Sequence, residues 1–215
     1  MDFRRQLDIL DPNVILYPVV LIGCGGIGSP TALTLAKMGC PDLTFVDPDI
    51  VEEHNLPNQL FRLKDVDRPK AESCKDAVSE FSNCSARAVS EKFDGSQELS
   101  GIVISGVDSM ASRQLVWDKV RWNLNVPLYI DGRIGGEVIQ VYAIRPNQIE
   151  DIEFYENNLF PDDEVEVLPC TERAIMYVGF TIAGLIGAQF KKWLKEEQLF
   201  RKITFYLKTM RIVPQ

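Results

Sequence analysis

The chain has 215 residues, of which 46% are hydrophobic and 25% are charged, and its 31 acidic against 23 basic side chains give a formal net charge of -8. A chain of this length and hydrophobicity can bury a core of its own, so we expect one globular domain over residues 1–215. The acidic balance and the lack of a basic stripe argue against a nucleic-acid-binding surface.

The cysteine content argues against disulfide bonds and zinc. The five cysteines are an odd set without C-x-x-C spacing, and His54 is the single histidine. Neither a disulfide framework nor a zinc site is therefore expected. The N-terminal stretch lacks the apolar run of a signal peptide, which predicts a cytoplasmic protein. The cysteines are Cys24, Cys40, Cys74, Cys84 and Cys170.

The first predicted strand lies within residues 19–28, which read VVLIGCGGIG. A run of small apolar residues that ends in glycines is typical of a buried strand, a tight turn and a helix start. Backbone N–H groups in such a turn can face a phosphate. The glycines that would let a nucleotide approach the chain are Gly23, Gly25, Gly26 and Gly28.

A helix and a second strand follow this turn. Residues 29–39 have helical spacing and stop at Gly39, and residues 43–47 form an apolar strand that ends at Asp47. Such a unit builds a parallel sheet with a nucleotide at its carboxyl edge. Asp47 lies about 20 residues beyond Gly28, where a dinucleotide-binding unit has an acid for ribose hydroxyls. An acid that only caps the strand end is the alternative.

Helices and strands continue to alternate. Asp108 lies just past the apolar strand 101–106, and residues 137–144 have the composition of an antiparallel strand at the sheet edge. We predict an α/β fold with a Rossmann-like, mostly parallel sheet, helices on both faces and antiparallel strands added at the C-terminal side. The remaining elements are helices at about 69–81 and 109–123 and strands at 86–89 and 126–131.

The C-terminal part contains an acidic segment and a long apolar helix. Residues 146–172 have many acidic side chains and no basic one, which predicts a loop or poorly ordered crossover, either a solvated surface or a strap over the site. Residues 174–196 then form an apolar helix whose small side chains favour the core or a dimer interface over a membrane span. One or two closing strands are predicted within 202–213.

Residues 47–72, DPDIVEEHNLPNQLFRLKDVDRPKAE, form a long polar insert after the second strand. The insert is rich in groups that bind a triphosphate. A hydride-transfer enzyme has no evident need of it, which favours ATP over a nicotinamide cofactor.

An ordered set of motifs resembles the ThiF/MoeB family and the adenylation domains of ubiquitin-activating enzymes. The resemblance covers Arg5 to about Lys195. The family's zinc-binding C-x-x-C pairs and the separate domains of the large eukaryotic activators are absent, so the resemblance implies a minimal, standalone adenylation domain. Each motif alone is weak, whereas the ordered set is specific. The motifs are RQ (5–6), GCGGIGSP (23–30), DPDIVEEHNLPNQLFR (47–62), RPKAES (68–73), GVDSMASR (106–113) and PCTERAIMYVG (169–179).

The resemblance implies that the C-terminal carboxylate of a ubiquitin-like or sulfur-carrier protein ending in Gly attacks the α-phosphate of ATP, giving an acyl-adenylate and pyrophosphate. The system would be a bacterial or phage-like ubiquitination or sulfur-transfer system. Because both reactants are anionic, Mg²⁺ and cationic side chains are expected around the triphosphate. The resemblance also implies a homodimer and a conjugating enzyme as a further partner. No membrane partner is expected.

By the resemblance, Asp47 holds the ribose hydroxyls and Asp108 binds magnesium. Lys70 opposes the charge on the leaving pyrophosphate. Arg5 would reach the triphosphate of the neighbouring subunit, and a frayed, solvated terminus is its alternative. Further nucleotide contacts are assigned to Gly23, Gly25, Gly26, Gly28, Asp49, Asn55, Gln59 and Arg62.

Cys170 matches, by position, the family's cysteine that forms a thioester or relays persulfide. It lies at the start of the late helix, and a helix N-terminus lowers the pKa of a thiol and makes the nucleophilic thiolate accessible. A buried, structural cysteine is the alternative. The other cysteines are interpreted as structural.

One position departs from the family pattern. Asn58 stands where the family usually has arginine, so one cation near the phosphates is missing unless Arg62 or Arg68 supplies it. A non-catalytic nucleotide-binding scaffold is therefore one alternative function. A tRNA-modification dehydratase of the same family is another, although the acidic charge disfavours it, and a dehydrogenase comes last.

Overall fold

The computed structural model describes residues 1–160 and 175–215. Strands and helices alternate through most of the described chain. The strands are β1 (Val19–Ile22), β2 (Asp42–Val46), β3 (Ser85–Val89), β4 (Ile102–Ser105), β5 (Tyr129–Gly135), β6 (Val138–Ile144), β7 (Lys202–Tyr206) and β8 (Arg211–Pro214). The helices are α1 (Gly28–Met38), α2 (Lys70–Phe81), α3 (Met110–Val120), α4 (Ile149–Glu156) and α5 (Met176–Leu194).

All of these strands belong to one sheet in the order β3-β2-β1-β4-β5-β6-β7-β8. Strands β1 to β5 are parallel, and β6, β7 and β8 are antiparallel. The chain proceeds outward from β1 in one direction through β2 and β3, and in the other through β4 and β5. Open α/β sheets bind ligands in the crevice at such a switch point. The predicted fold class and the closing antiparallel strands are confirmed.

Apolar side chains cover both faces of the sheet. On one face α1, α2 and α5 contribute to a core in which Leu35, Ile182 and Phe190 are fully buried. On the other face α3 and α4 contribute Trp117 and Tyr155, which are also fully buried. Burial of these large side chains, at roughly 25 cal/mol per Å² of apolar surface, fixes the helices against the strands that carry the site.

The predicted loop at 146–172 is wrong in its first part, where α4 forms. Acidic residues in the first turn of α4 lie at the positive end of the helix dipole. Asp151 is fully buried and accepts hydrogen bonds from Arg145 at 2.7 and 3.0 Å and from Arg201 at 2.9 Å. Burial raises the pKa of Asp151, but the hydrogen bonds and charge of Arg145, with the charge of Arg201, outweigh it and hold this pKa below its usual value.

The rest of the acidic segment, residues 161–174, lies outside the described residues. Helix α5 is described from Met176, with Ile175 as its N-cap residue. Its inner side packs in the core, and its outer side leaves Tyr177 and Phe180 exposed. In the part of the chain that the structure describes, no helix is long and apolar enough to cross a membrane.

Candidate functional site

A cleft of about 610 Å³ lies at the carboxyl ends of the central parallel strands. Small-molecule sites commonly have volumes of about 300–1,000 Å³. One wall is apolar, with Ile22, Val46, Phe93 and Val116 among its residues. The predicted site residues that line the cleft are Gly23, Gly25, Gly26, Asp47, Asp49, Gln59, Lys70 and Asp108.

The glycines of the turn after β1 have two different roles. Gly23 has φ +90°, and a Cβ on Gly28 would lie 1.8 Å from the Gly23 carbonyl oxygen, so these two positions let the turn fold onto the start of α1. Gly28 does not line the cleft. Gly25 does, and the Gln59 amide nitrogen, 3.9 Å away, is the nearest group that its Cβ would meet. The open space beside Gly25 is room for a ligand.

The start of α1 adds an electrostatic feature to this turn. The N-cap residue, Ile27, makes no side-chain hydrogen bond that would cap the helix. In this first turn the Ser29 N–H donates to the Gly25 carbonyl at 3.0 Å and Pro30 has no N–H, so the Gly28 N–H and the positive end of the helix dipole remain for a ligand. This end of α1 is therefore suited to an anionic ligand.

Asp47 follows β2 and is almost fully buried. Its Oδ2 accepts a hydrogen bond from the Cys24 N–H at 2.6 Å, and its Oδ1 accepts one from the Asp49 N–H at 2.8 Å. Burial raises the pKa of Asp47, and both N–H groups and the Lys70 charge oppose that rise. The carboxylate thus caps backbone groups at the strand end, and its remaining lone pairs can accept further hydrogen bonds. Ribose binding by Asp47 stays a prediction.

Lys70 is the first residue of α2, and its side chain is 10% exposed. Its ammonium lies 3.0 Å from Oδ2 of Asp49, whose side chain is 63% exposed. A buried cation at the positive end of a helix dipole is electrostatically unfavourable. The position is explained better by an anionic ligand in the cleft than by helix stability, and the solvated carboxylate of Asp49 can give way to such a ligand.

Asp108 follows β4 and precedes α3, whose N-cap Ser109 accepts a hydrogen bond from the Ser112 N–H at 3.1 Å. Among the described residues, no three His, Cys, Asp or Glu side chains come together as a ready metal site. Mg²⁺ commonly takes one or two protein carboxylates and completes its shell with water and substrate phosphates. The solvent-exposed carboxylate of Asp108 lies beside a cleft that is suited to anions, so it can serve as one such protein ligand of Mg²⁺.

Two amide side chains at the cleft have unused acceptors. Asn58 Oδ1 and Gln59 Oε1 are buried and have no hydrogen-bond partner, and both side chains line the cleft. Their amide groups are available to a polar ligand. Asn55 is not brought to the cleft, because its Oδ1 accepts the Glu52 N–H at 2.9 Å and its side chain is buried in the insert. Its predicted phosphate contact stays a prediction.

The structure does not bring the two arginines of the insert to the cleft. Arg62 donates to Asp65 at 2.8 and 2.9 Å and pairs with Glu80 at 2.6 Å. Arg68 pairs with Asp65 at 3.3 Å and with Asp76 at 2.6 Å. Each guanidinium is engaged by one carboxylate of the insert and one of α2. Neither arginine therefore supplies the cation that is missing because position 58 is asparagine.

Arg5 is exposed in a turn that is anchored beside the C-terminal end of α1. Gln6 Nε2 donates to the Met38 carbonyl at 2.9 Å, and Leu10 is buried. Met38 is the last residue of α1, an 11-residue helix whose N-cap residue, Ile27, lines the cleft. At 1.5 Å per residue the two ends are about 16 Å apart. The N-terminal turn is thus held against the end of α1, and contact of Arg5 with a triphosphate stays a prediction.

Cys170 lies outside the described residues, so its predicted nucleophilic role is not tested by the geometry. The other four cysteines, Cys24, Cys40, Cys74 and Cys84, are free thiols. Burial raises the pKa of Cys40 and, to about 11, that of Cys84. Thiols with a raised pKa are poor nucleophiles, and the structural role of these cysteines stays a prediction.

The residues that line the cleft and that sequence reasoning missed include Lys92, Phe93 and Arg113. Lys92 and Phe93 follow β3, a parallel strand whose carboxyl end is next to that of β2. The rule that selected Asp47 and Asp108 from the ends of strands would have selected them too. Arg113 closes the motif GVDSMASR, but the sequence did not indicate where its guanidinium lies.

Solved structures with the same fold include MccB of E. coli with AMPCPP and MccA. The TM-score is 0.75 at 19% identity, covering 95% of this chain and 65% of that one. PaaA matches with a TM-score of 0.75 at 19% identity, covering 99% of this chain and 72% of that one. At these identities the likeness shows the fold alone.

Curated relatives are similar over part of the chain. The sulfur carrier protein ThiS adenylyltransferase of Escherichia coli K12 is 32% identical over 137 residues, which are 60% of this chain and 52% of the relative. The SAMP-activating enzyme E1 of Haloferax volcanii is 35% identical over 117 residues, 51% of this chain and 43% of the relative. The chain thus spans about half the length of these relatives.

The sequence profile of the ThiF family matches residues 16–212. This range includes every strand except the last two residues of β8, and it includes the turn after β1, the polar insert, Lys70 and Asp108. The family match therefore covers both the sheet and the residues that line the cleft. This chain belongs to the ThiF family.

Proposed function

We propose that this chain is an ATP-dependent adenylyltransferase that activates the C-terminal carboxylate of a ubiquitin-like or sulfur-carrier protein ending in Gly. The observation that carries the proposal is the meeting of Gly25, Asp47, Lys70 and Asp108 in one cleft. These residues come from four separate motifs of the chain. Relatives named for adenylation of a sulfur carrier and for activation of SAMP support the same activity.

The cleft gives each part of ATP a complementary surface. The apolar wall that includes Phe93 suits the purine base, and Asp47 at the end of β2 suits the ribose hydroxyls. The open backbone at Gly25 and the start of α1 suit the phosphates, where Lys70 supplies a cation. The base, ribose and phosphates would therefore lie in order across the carboxyl edge of the sheet.

In the proposed reaction, a carboxylate oxygen forms a bond to the α-phosphorus of ATP and the bond from that phosphorus to the bridging oxygen of pyrophosphate breaks. Two anions must approach each other, so positive charge near the triphosphate lowers the barrier. Asp108 would hold Mg²⁺, which supplies charge neutralisation on the phosphates when bound. Lys70 would exchange Asp49 for a phosphate oxygen and stabilise the departing pyrophosphate.

A second step is part of the proposal. The acyl-adenylate is attacked by the thiolate of Cys170, which forms a thioester and releases AMP. We also propose a homodimer in which Arg5 serves the neighbouring cleft, supported by its anchoring away from its own cleft. The buried free thiols agree with a reducing, cytoplasmic setting.

The test is ATP–pyrophosphate exchange with and without candidate carriers that end in Gly-Gly. Exchange that requires the carrier supports the proposal, and exchange that responds to tRNA instead would favour the dehydratase. Asp108→Asn should abolish exchange. Asp118→Asn, an exposed residue on α3 away from the cleft, is the matched control and should leave it unchanged.

A non-catalytic, nucleotide-binding scaffold is the second candidate, and one observation favours it. The arginine missing at Asn58 is not replaced by Arg62 or Arg68, which are bound by acidic residues outside the cleft. A scaffold would bind ATP and show no exchange with any carrier. Binding and exchange measured on the same preparation separate the two functions.

A further inference from the structure

Arg113 is a buried arginine in the wall of the nucleotide cleft. It lies in the first turn of α3, and its side chain is 6% exposed. A guanidinium in this position could be taken for a phosphate ligand. Its hydrogen bonds show a different arrangement, because its Nε and Nη2 donors bond protein oxygen atoms rather than facing the cleft.

The donors of Arg113 join the loop after β4 to strand β5. Its Nη2 donates to the Val107 carbonyl at 2.6 Å and to the Gly132 carbonyl at 3.3 Å. Its Nε donates to Oδ1 of Asp131 at 3.1 Å, and its Nη1 lies 3.8 Å from the Met110 sulfur. These bonds use the N–H of Nε and both N–H groups of Nη2, and Nη1 makes only the weak contact with sulfur, so most of the guanidinium's donors are committed to the protein.

Asp131 keeps this guanidinium in place. Asp131 is fully buried, and its Oδ2 accepts hydrogen bonds from Arg133 Nε at 2.7 Å and from the Tyr155 hydroxyl at 2.9 Å. A buried charge is tolerated only when it is paired and hydrogen-bonded, and charge-assisted bonds are the stronger kind. The carboxylate therefore fixes the position of Arg113 relative to β5, and Tyr155 fixes the carboxylate relative to α4.

We propose that Arg113, held by Asp131, is a positioning residue that fixes the Val107–Asp108 peptide and thereby aims the Asp108 carboxylate at the magnesium–nucleotide complex. The proposal rests on the role proposed above for Asp108. The Val107 carbonyl that accepts the Arg113 hydrogen bond belongs to the peptide group between Val107 and Asp108. Because Asp108 itself is exposed, the network behind it is what limits its orientation.

The experiment measures nucleotide binding rather than turnover. Isothermal titration with AMPCPP, with and without Mg²⁺, should show that Mg²⁺ raises the affinity of the unmodified protein at least tenfold. Arg113→Lys should lose most of this gain and keep its metal-free affinity within twofold. A merely structural role would lower the fraction of binding-competent protein and leave the Mg²⁺ gain intact.

Tyr155→Phe is the second variant, because it removes one hydrogen bond to Asp131 and leaves no large cavity. This variant should lose part of the increase in AMPCPP affinity that Mg²⁺ produces. If Arg113→Lys fails to fold, the result for Tyr155→Phe tests the proposal alone. Tyr142→Phe is the matched control, since its buried hydroxyl bonds Gln140 and Asn158 at 3.3 Å and does not touch Asp131. It should keep the full gain.

A double-mutant cycle tests whether Arg113 acts through Asp108. The variant Asp108→Asn/Arg113→Lys should bind no more weakly than Asp108→Asn alone, because a residue that acts through another adds nothing once that residue is gone. Additive losses, or a wild-type Mg²⁺ gain in both Arg113→Lys and Tyr155→Phe, would overturn the proposal.

The outcomes also separate this inference from the proposed function. If Mg²⁺ does not change the affinity of the unmodified protein for AMPCPP, Asp108 is not a metal ligand, and the positioning role proposed for Arg113 is wrong as well. If the Mg²⁺ gain is present and sensitive to Arg113 but no carrier supports exchange, the positioning role stands and the adenylation proposal fails.

Discussion

Replacing Lys70 by glutamine should remove the proposed adenylation activity without weakening the fold. The Lys70 charge at the start of α2 opposes the helix dipole, which costs about 0.3–1 kcal/mol. Its ion pair with the exposed Asp49 contributes about 0–1 kcal/mol in the other direction. These effects nearly cancel, so the free energy of unfolding should change by less than about 1 kcal/mol.

The expected loss of activity is much larger. Removing one preorganised donor from developing charge costs about 10²–10³-fold in kcat. Carrier-dependent pyrophosphate exchange and urea unfolding, measured on the same samples, give the two numbers. Lys75→Gln is the matched control, since Lys75 is on the same helix and pairs with Glu72 rather than with a cleft residue. Exchange within about threefold of the unmodified protein would refute the role of Lys70, as would a loss of activity that only tracks a loss of folded protein.

Four further predictions follow from the site and the fold. Asn58→Arg should tighten ATP binding and raise exchange, because it restores a cation beside the phosphates; weaker binding in titration would contradict this. Cys170→Ala should abolish a reductant-sensitive conjugate with the carrier while exchange persists, and a conjugate that survives on denaturing gels would exclude Cys170 as the nucleophile. Arg5→Ala and Asp108→Asn should each be inactive, yet their equimolar mixture should recover about a quarter of the activity if dimers exchange randomly; no recovery after confirmed subunit exchange would argue against action in trans. Asp151→Asn should cost stability at pH 7 and less at pH 3, because a carboxyl group whose pKa is lowered by folding stabilises the protein above its unfolded value of about 3.9 and loses that contribution as the pH falls through the folded value; an equal cost at both pH values in urea titrations would show that the charge is irrelevant.

The sheet could be predicted from the sequence because its signals are local. The apolar strands, the glycine turn and Gly39 at the end of α1 each have a short-range cause, and Gly39 has φ +98° as a helix-stopping glycine should. Placing Asp47 and Asp108 at one edge then needed only the rule that parallel strands end on the same side.

Long-range ion pairing explains what could not be predicted. Helix α4 was not predicted because its acidic residues suggested an exposed loop. In the structure Asp151 is buried and paired with Arg201, which is 50 residues away in sequence. In the same way, Nε of Arg113 is directed to Asp131, which is 18 residues away in sequence. Arg62 has a local cause instead, because it pairs with Asp65 three residues further on. Charge composition records how many carboxylates are present, but not which arginine each one meets.

The anchoring of the N-terminal turn beside Met38 restricts how two copies could share their sites. If Arg5 serves a neighbour, the cleft of one subunit must face the far end of α1 in the other, and a twofold axis makes this relation reciprocal. Both clefts would then be completed in the same association event. Specific activity would fall on dilution as dimers dissociate, and a bulky tag fused to Met1 would obstruct the neighbouring cleft rather than its own.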